Sequence, residues 1–212
     1  DSGGDFRPAS EGRSSYGSRG HSPAHSLFRA ATFSQEMLDE AKIVAVQMYG
    51  SMGGKNEFGA SDGMMKQLRG VLGSMAYAEV ALGDWRRHRE NVPNEADFGL
   101  LDVKASRAPS DGDISRLHLI ESESYPGHEP PQYAFYVQVF VDVVRSSAKI
   151  AGWSTGAELW IGGKQPVPRG GGARGYMRSV GLLHPLEALP AAWRALDRDG
   201  RWSHFYPHGL EK

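Results

Sequence analysis

Apolar residues recur at helical spacing in two stretches of the chain. Met37, Ala41, Val44 and Met48 repeat every three or four positions, which predicts a helix over residues 34–50. Ser34 stands as its N-cap, with Glu36 in the first turn. A Gly-rich loop at 53–59 separates this from a longer stripe: Met64, Met65, Leu68, Val71, Leu72, Met75, Ala76 and Val80. The stripe predicts a second helix over 61–83, capped by Ser61 or Asp62 and stopped by Gly83. It reads as core packing rather than a cofactor site.

Beyond Gly83 the period becomes extended. Strands are predicted at 86–92, 98–106, 114–121, 133–142 and 148–153. The fourth is apolar on both faces, with Phe135, Val137, Val139 and Val141 on one and Tyr136 and Phe140 on the other. Such a strand lies inside a sheet covered on both sides. Short helices are expected at 155–161 and 186–197. This order predicts an α/β fold, a central mixed β-sheet flanked by helices. Trp193, Trp202, Phe205 and Tyr206 are expected to dock the C-terminal segment on the body.

Composition adds a tail to this picture. Residues 1–26 hold 5 Gly, 7 Ser and 2 Pro, with Phe6 and Tyr16 as the large apolar groups. That is too little apolar surface to offset ordering entropy, so residues 1–33 are expected to be a disordered Gly/Ser/Arg tail before a domain at 34–212. An Arg/Gly/Ser arm that touches nucleic acid is the alternative. No apolar run approaches the roughly 20 residues of a membrane span. With no Cys in the chain, disulfide scaffolds, Cys-ligated zinc and thiol nucleophiles are excluded. The net charge of −1 still permits a local basic groove.

The segment with chemical content is 94–106. Asp102 and Lys104 are two apart on a predicted strand and share a face. Asp97 precedes Phe98-Gly99, which permits a tight bend carrying it back toward Asp102. Two close carboxylates repel unless a cation lies between them. Mg²⁺ suits such a pair, since it takes hard oxygen ligands and keeps several waters. A nearby ammonium can orient one of those waters, which together describes metal-assisted phosphodiester hydrolysis. Spacing alone also fits a same-face ion pair, because roughly one acid-x-Lys match arises by chance in such a composition.

The ordered parts resemble the PD-(D/E)XK nuclease superfamily: the helix 61–83, the strand 86–92 leading to Asp97, then Asp102-Val103-Lys104, then the strand 133–141. The stretch Ala148 to Leu159, with Gly152-Trp153 before a turn and helix, is similar to small nucleases of this kind. The stretch Gly70-Val71-Leu72-Gly73-Ser74-Met75-Ala76 is similar to a Gly-x-x-Gly-Glu-x-Ala pattern, with Ser74 in place of its Glu. The resemblance covers about residues 61–161 and implies a restriction-endonuclease-like fold. It implies a Mg²⁺-dependent DNA nuclease (Mn²⁺ substituting) with Asp97, Asp102 and Lys104 as catalytic residues. Asp97, Asp102 and the Val103 carbonyl would hold the metal, with Glu79 standing in for the missing Glu if the helix register allows. Gln138 and Glu95 are candidate accessories; Gln138 reads equally as a hydrogen-bonded residue of a buried strand. An intracellular, cytoplasmic enzyme is expected, and a homodimer is a further expectation, since many such nucleases pair to cut both strands.

Two basic runs are candidate DNA contacts. Arg87 and Arg89 lie ahead of Asp97, and Lys164, Arg169, Arg174 and Arg178 lie in an expected flexible loop at 162–180. The loop reads equally as a solvated surface. Scattered His residues give no zinc pattern, and neither a Gly-x-Ser-x-Gly elbow nor a P-loop occurs. A non-catalytic nucleic-acid-binding or assembly protein on a degenerate nuclease fold is the rival reading. Its motive is Ser74. A small-ligand domain with a purely structural Asp/Lys pair is a third.

Overall fold

A computed structural model describes residues 28–51, 63–90, 96–114, 117–122, 132–166 and 174–211. Helix α1 spans Gln35–Ser51, and Met37, Ala41 and Ala45 form its buried stripe. Ser34 Oγ accepts the Met37 N–H at 3.2 Å as the expected cap. Helix α2 spans Gly63–Tyr77 and buries Leu68, Val71, Leu72, Met75 and Ala76. It widens into a π turn, Ala78–Leu82, and stops at Gly83 in the left-handed region, φ 78°.

The strands β1 (Arg29–Thr32), β2 (Leu101–Arg107), β4 (Phe135–Asp142) and β5 (Ser147–Thr155) form a sheet in the order β1-β5-β4-β2. Strands β2 and β4 are parallel and the other pairs antiparallel, so the sheet is mixed. A smaller sheet, β3-β7-β6, joins β3 (His118–Ser122), β6 (Lys164–Pro166) and β7 (Arg174–Ser179). On one face of β4, Val137, Val139 and Val141 share a core with Val71, Leu72 and Met75 of α2. On the other face, Tyr136 packs with Leu119 and Tyr176 of the small sheet. Strand β4 is thus covered on both sides. Helix α3 (Gly156–Gly162) follows β5 directly, and α4 (Leu189–Leu196) seats Trp193 on Phe135, ring centroids 5.9 Å apart.

Three expectations need correction. The ordered chain starts before residue 33: Arg29–Thr32 pairs with the outer edge of β5, and Ala31 and Phe33 alternate inward. Residues 1–27 of the expected tail and the loop at 53–59 lie outside the described residues. The predicted strand 86–92 is a 3-10 turn, Trp85–Glu90. Its buried residues, Trp85 and His88, are three apart, which is the 3-10 period rather than the strand period. The expected loop at 162–180 contains the antiparallel β6–β7 pair, with 167–173 outside the described residues.

Candidate active site

The site assembles at the open edge of the large sheet, where β2 is the outermost strand. Phe98 and Leu101 exchange two backbone hydrogen bonds, 2.9 and 3.1 Å, closing a tight turn. Gly99 sits in that turn at φ 63°, a conformation that favours glycine. Its α-carbon lies against Trp202 and Phe205, and an added Cβ would come within 2.7 Å of the Trp202 ring. The turn folds Asp97 back along β2, where its Oδ2 accepts the Val103 N–H at 2.8 Å. A carboxylate thus takes an amide of the sheet edge.

Helix α2 closes the site from below. Gly73 lets it approach β2 so closely that a Cβ there would lie 2.6 Å from Ala105 Cβ. The next residue, Ser74, is buried and reaches Asp97 Oδ2 at 3.5 Å, while also donating to Gly70 O at 3.3 Å. Both contacts are long, so Ser74 gives Asp97 little support.

Asp102 and Lys104 share a face of β2, as the strand period requires. Asp102 is 9% exposed, and the Lys104 ammonium lies 2.6 Å from its Oδ2. The contact is a charge pair rather than a directed hydrogen bond. The ammonium also lies 5.6 Å from the centre of the Tyr136 ring. In register beside Lys104 on β4 is Gln138. It is fully buried; its Nε2 donates to Val139 O at 3.0 Å, and its Oε1 has no hydrogen-bond partner among the described residues.

Burial and the neighbouring charge of Asp102 push the Asp97 carboxyl up to about 7. The Val103 N–H, Lys104 and Ser74 pull it down by less. A proton therefore comes off Asp97 near neutrality, and a cation beside the two acids would favour its release.

The other expected site residues are elsewhere. Glu79 is exposed in the π turn and its Oε2 accepts the Trp85 N–H at 3.1 Å, so it caps the next turn. Among the described residues no three His, Asp or Glu side chains gather as a ligand group, so Glu79 does not join Asp97 and Asp102. Glu95 and Arg169 lie outside the described residues. The basic run 86–89 is engaged inside the molecule. Arg87 makes two hydrogen bonds to Glu90, and Arg86 and Arg89 pair with Glu36 and Glu40 of α1. Lys164 lies over the Tyr176 ring at 5.8 Å, and Arg174 opens β7. Arg178 contacts Glu158 at 3.1 Å and Leu182 O at 2.9 Å. Arg87, Arg89 and Arg178 are thus each paired within the molecule, through contacts that stay exposed at the surface.

One cluster escaped the sequence reading. Glu158 Oε1 accepts His184 Nε2 at 2.8 Å and pairs with Arg178. Its Oε2 accepts Thr155 N–H at 2.9 Å, Thr155 Oγ1 at 3.2 Å and Ser154 Oγ at 3.1 Å. Gly152 lets His184 lie against β5, where a Cβ would meet His184 O at 2.5 Å. Thr155-x-x-Glu158 is a capping box and was the signal available in sequence.

Compared with family models, curated proteins and solved structures, the chain matches none.

Proposed function

We propose that this protein is a Mg²⁺-dependent DNA nuclease that hydrolyses phosphodiester bonds. The observation that carries the reading is the meeting of Asp97, Asp102 and Lys104 at the open edge of the sheet. The donor set fits the ion: Mg²⁺ binds through one or two carboxylates plus waters and phosphate oxygens, and two mutually repelling carboxylates are present. Asp97, Asp102 and the Val103 carbonyl would hold it. In a strand the N–H and C=O of one residue leave on the same side, so the Val103 carbonyl faces the edge that Asp97 occupies. Bound there, Mg²⁺ would polarise the phosphate and make water a better nucleophile. Lys104 orients the attacking water and balances charge on the phosphate. Gln138, in register with Lys104 on the neighbouring strand, keeps a buried acceptor beside it. Water attacks phosphorus in line and gives up one proton to solvent, the bond to the leaving oxygen breaks, and the leaving oxygen takes up a proton from solvent.

Ser74 favours the rival reading, a nucleic-acid-binding or assembly protein without catalysis, because it supplies no third carboxylate. Incubation with supercoiled plasmid and linear DNA in Mg²⁺ or Mn²⁺ separates the two. The nuclease cuts in either metal, and Asp102→Ala abolishes cutting. DNA binding with no cleavage by wild type in either metal selects the rival.

A further inference from the structure

The parallel pair β2 and β4 ends at a cavity of about 460 Å³, on the rim opposite Asp102. Arg69 of α2, Arg107 at the end of β2 and Arg145 after β4 line it, with Asp142 as its single acid. Asp142 is already engaged: it accepts the Arg145 N–H at 3.0 Å and the Arg145 guanidinium at 2.9 Å. Arg107 is exposed and makes no ion pair among the described residues. A smaller cavity of about 170 Å³ shares Ala108, Asp142 and Arg145 and adds Lys149. Met65, in the first turn of α2, also lines the larger cavity, so the positive end of that helix borders it. Ala108, Val141, Val143 and Val144 supply apolar wall. In open α/β sheets, ligands bind outside the carboxyl ends of parallel strands. Arg145 is held by Asp142, and the exposed guanidinium of Arg107 matches phosphate oxygens.

We propose that this cavity binds a phosphate group, from a nucleic-acid backbone or from a free phosphorylated ligand. It is distinct from the acid pair, since Asp102 and Arg107 are five residues apart on one strand, roughly 16 Å. The odd spacing also puts their side chains on opposite faces, so a duplex bound at Asp102 meets the cavity only by passing around the open sheet edge. The backbone source rests on the nuclease reading; the free-ligand source does not.

Two probes in EDTA test the cavity without any need for cleavage. One is a fluorescein-labelled 16-base-pair duplex followed by anisotropy across a salt series. The other is inorganic phosphate followed by calorimetric titration. Variants are Arg107→Glu, the milder Arg107→Gln, and the double Arg69→Glu/Arg107→Glu, each first checked by thermal melt; Arg198→Glu is the control. For a backbone phosphate, Arg107→Glu weakens duplex binding about tenfold and lowers the salt slope by about one. For a free ligand, phosphate binding is lost in Arg107→Glu while duplex affinity holds. If wild type binds neither probe, or every variant matches Arg198→Glu on both, the proposal is overturned. Both probes are read in EDTA, so a protein that fails to cut DNA still gives a clear answer here.

Discussion

Glu158 and Asp97 are both half-buried acids beside the large sheet, and their surroundings drive them in opposite directions. Burial alone would raise both. At Glu158 the Thr155 amide, His184 and Arg178 outweigh burial and hold the carboxyl at about 2. At Asp97 burial is reinforced by Asp102, and the carboxyl rises to about 7. Glu158 has a donor on every side and ties α3, β7 and the 184 loop together. Asp97 accepts the Val103 amide and has a carboxylate for a neighbour. A saturated acid builds structure. A buried acid beside a second carboxylate at an open edge is poised for a cation or a proton.

Substitution breaks this contrast most directly. Asp97→Asn is expected to cut plasmid cleavage by at least about a hundredfold while the fold melts no earlier than wild type. Glu158→Ala is expected to do the reverse. Loss of the capping box and its charged hydrogen bonds costs about 2–4 kcal/mol, seen as a Tm several degrees lower, with cleavage per folded molecule kept.

The support beneath Asp97 is the next most sensitive point. Gly99→Ala strains a left-handed position and presses on Trp202, for a cost of about 1–3 kcal/mol. Unlike Glu158→Ala, it should lower cleavage by folded protein as well as Tm, because it shifts the turn that aims Asp97. Equal loss of stability with full cleavage would mean the turn does not aim the acid.

Melts against pH sharpen the comparison further. Asp97 binds its proton more tightly folded than unfolded, about 7 against 3.8. Its contribution therefore declines as pH rises from about 4 to about 7. Glu158 binds its proton less tightly folded, about 2 against 4.5, so its contribution declines as pH falls from about 4.5 to 2. Asp97→Asn should flatten the first window and Glu158→Gln the second. Mg²⁺ should raise Tm more at pH 8 than at pH 5.5, and that difference should vanish in Asp97→Asn.

The smallest effect is expected at Ser74. Ser74→Glu adds a carboxylate within reach of Asp97. It should tighten Mn²⁺ binding several-fold, measured by titration calorimetry, at some loss of stability because Ser74 is buried.

The sequence patterns that proved readable are those where one physical demand dominates. An apolar run on both faces put residues 133–142 inside the sheet, and β4 lies there between β5 and β2. Gly99 and the spacing of Asp97, Asp102 and Lys104 announced a turn and a shared face. Where tertiary partners decide, the pattern misled. Arg86, Arg87 and Arg89 look like a basic strand, yet the acids of α1 and Glu90 claim them and His88 turns inward. Arg29–Thr32 carries two alanines and no strand signal of its own; the unpaired edge of β5 recruits it. Glu79 leaves the site because the π turn and the Trp85 amide redirect it, which local composition does not reveal.

The backing of Gly99 by Trp202 and Phe205 sets an order of assembly. The turn and its acids leave the ribosome about a hundred residues before the rings that brace them, a long loop to close. Until those rings arrive, Asp97 hangs from an unbraced hairpin. A nascent chain therefore carries this pair of acids early and completes their support late, a delay written into the path of the backbone.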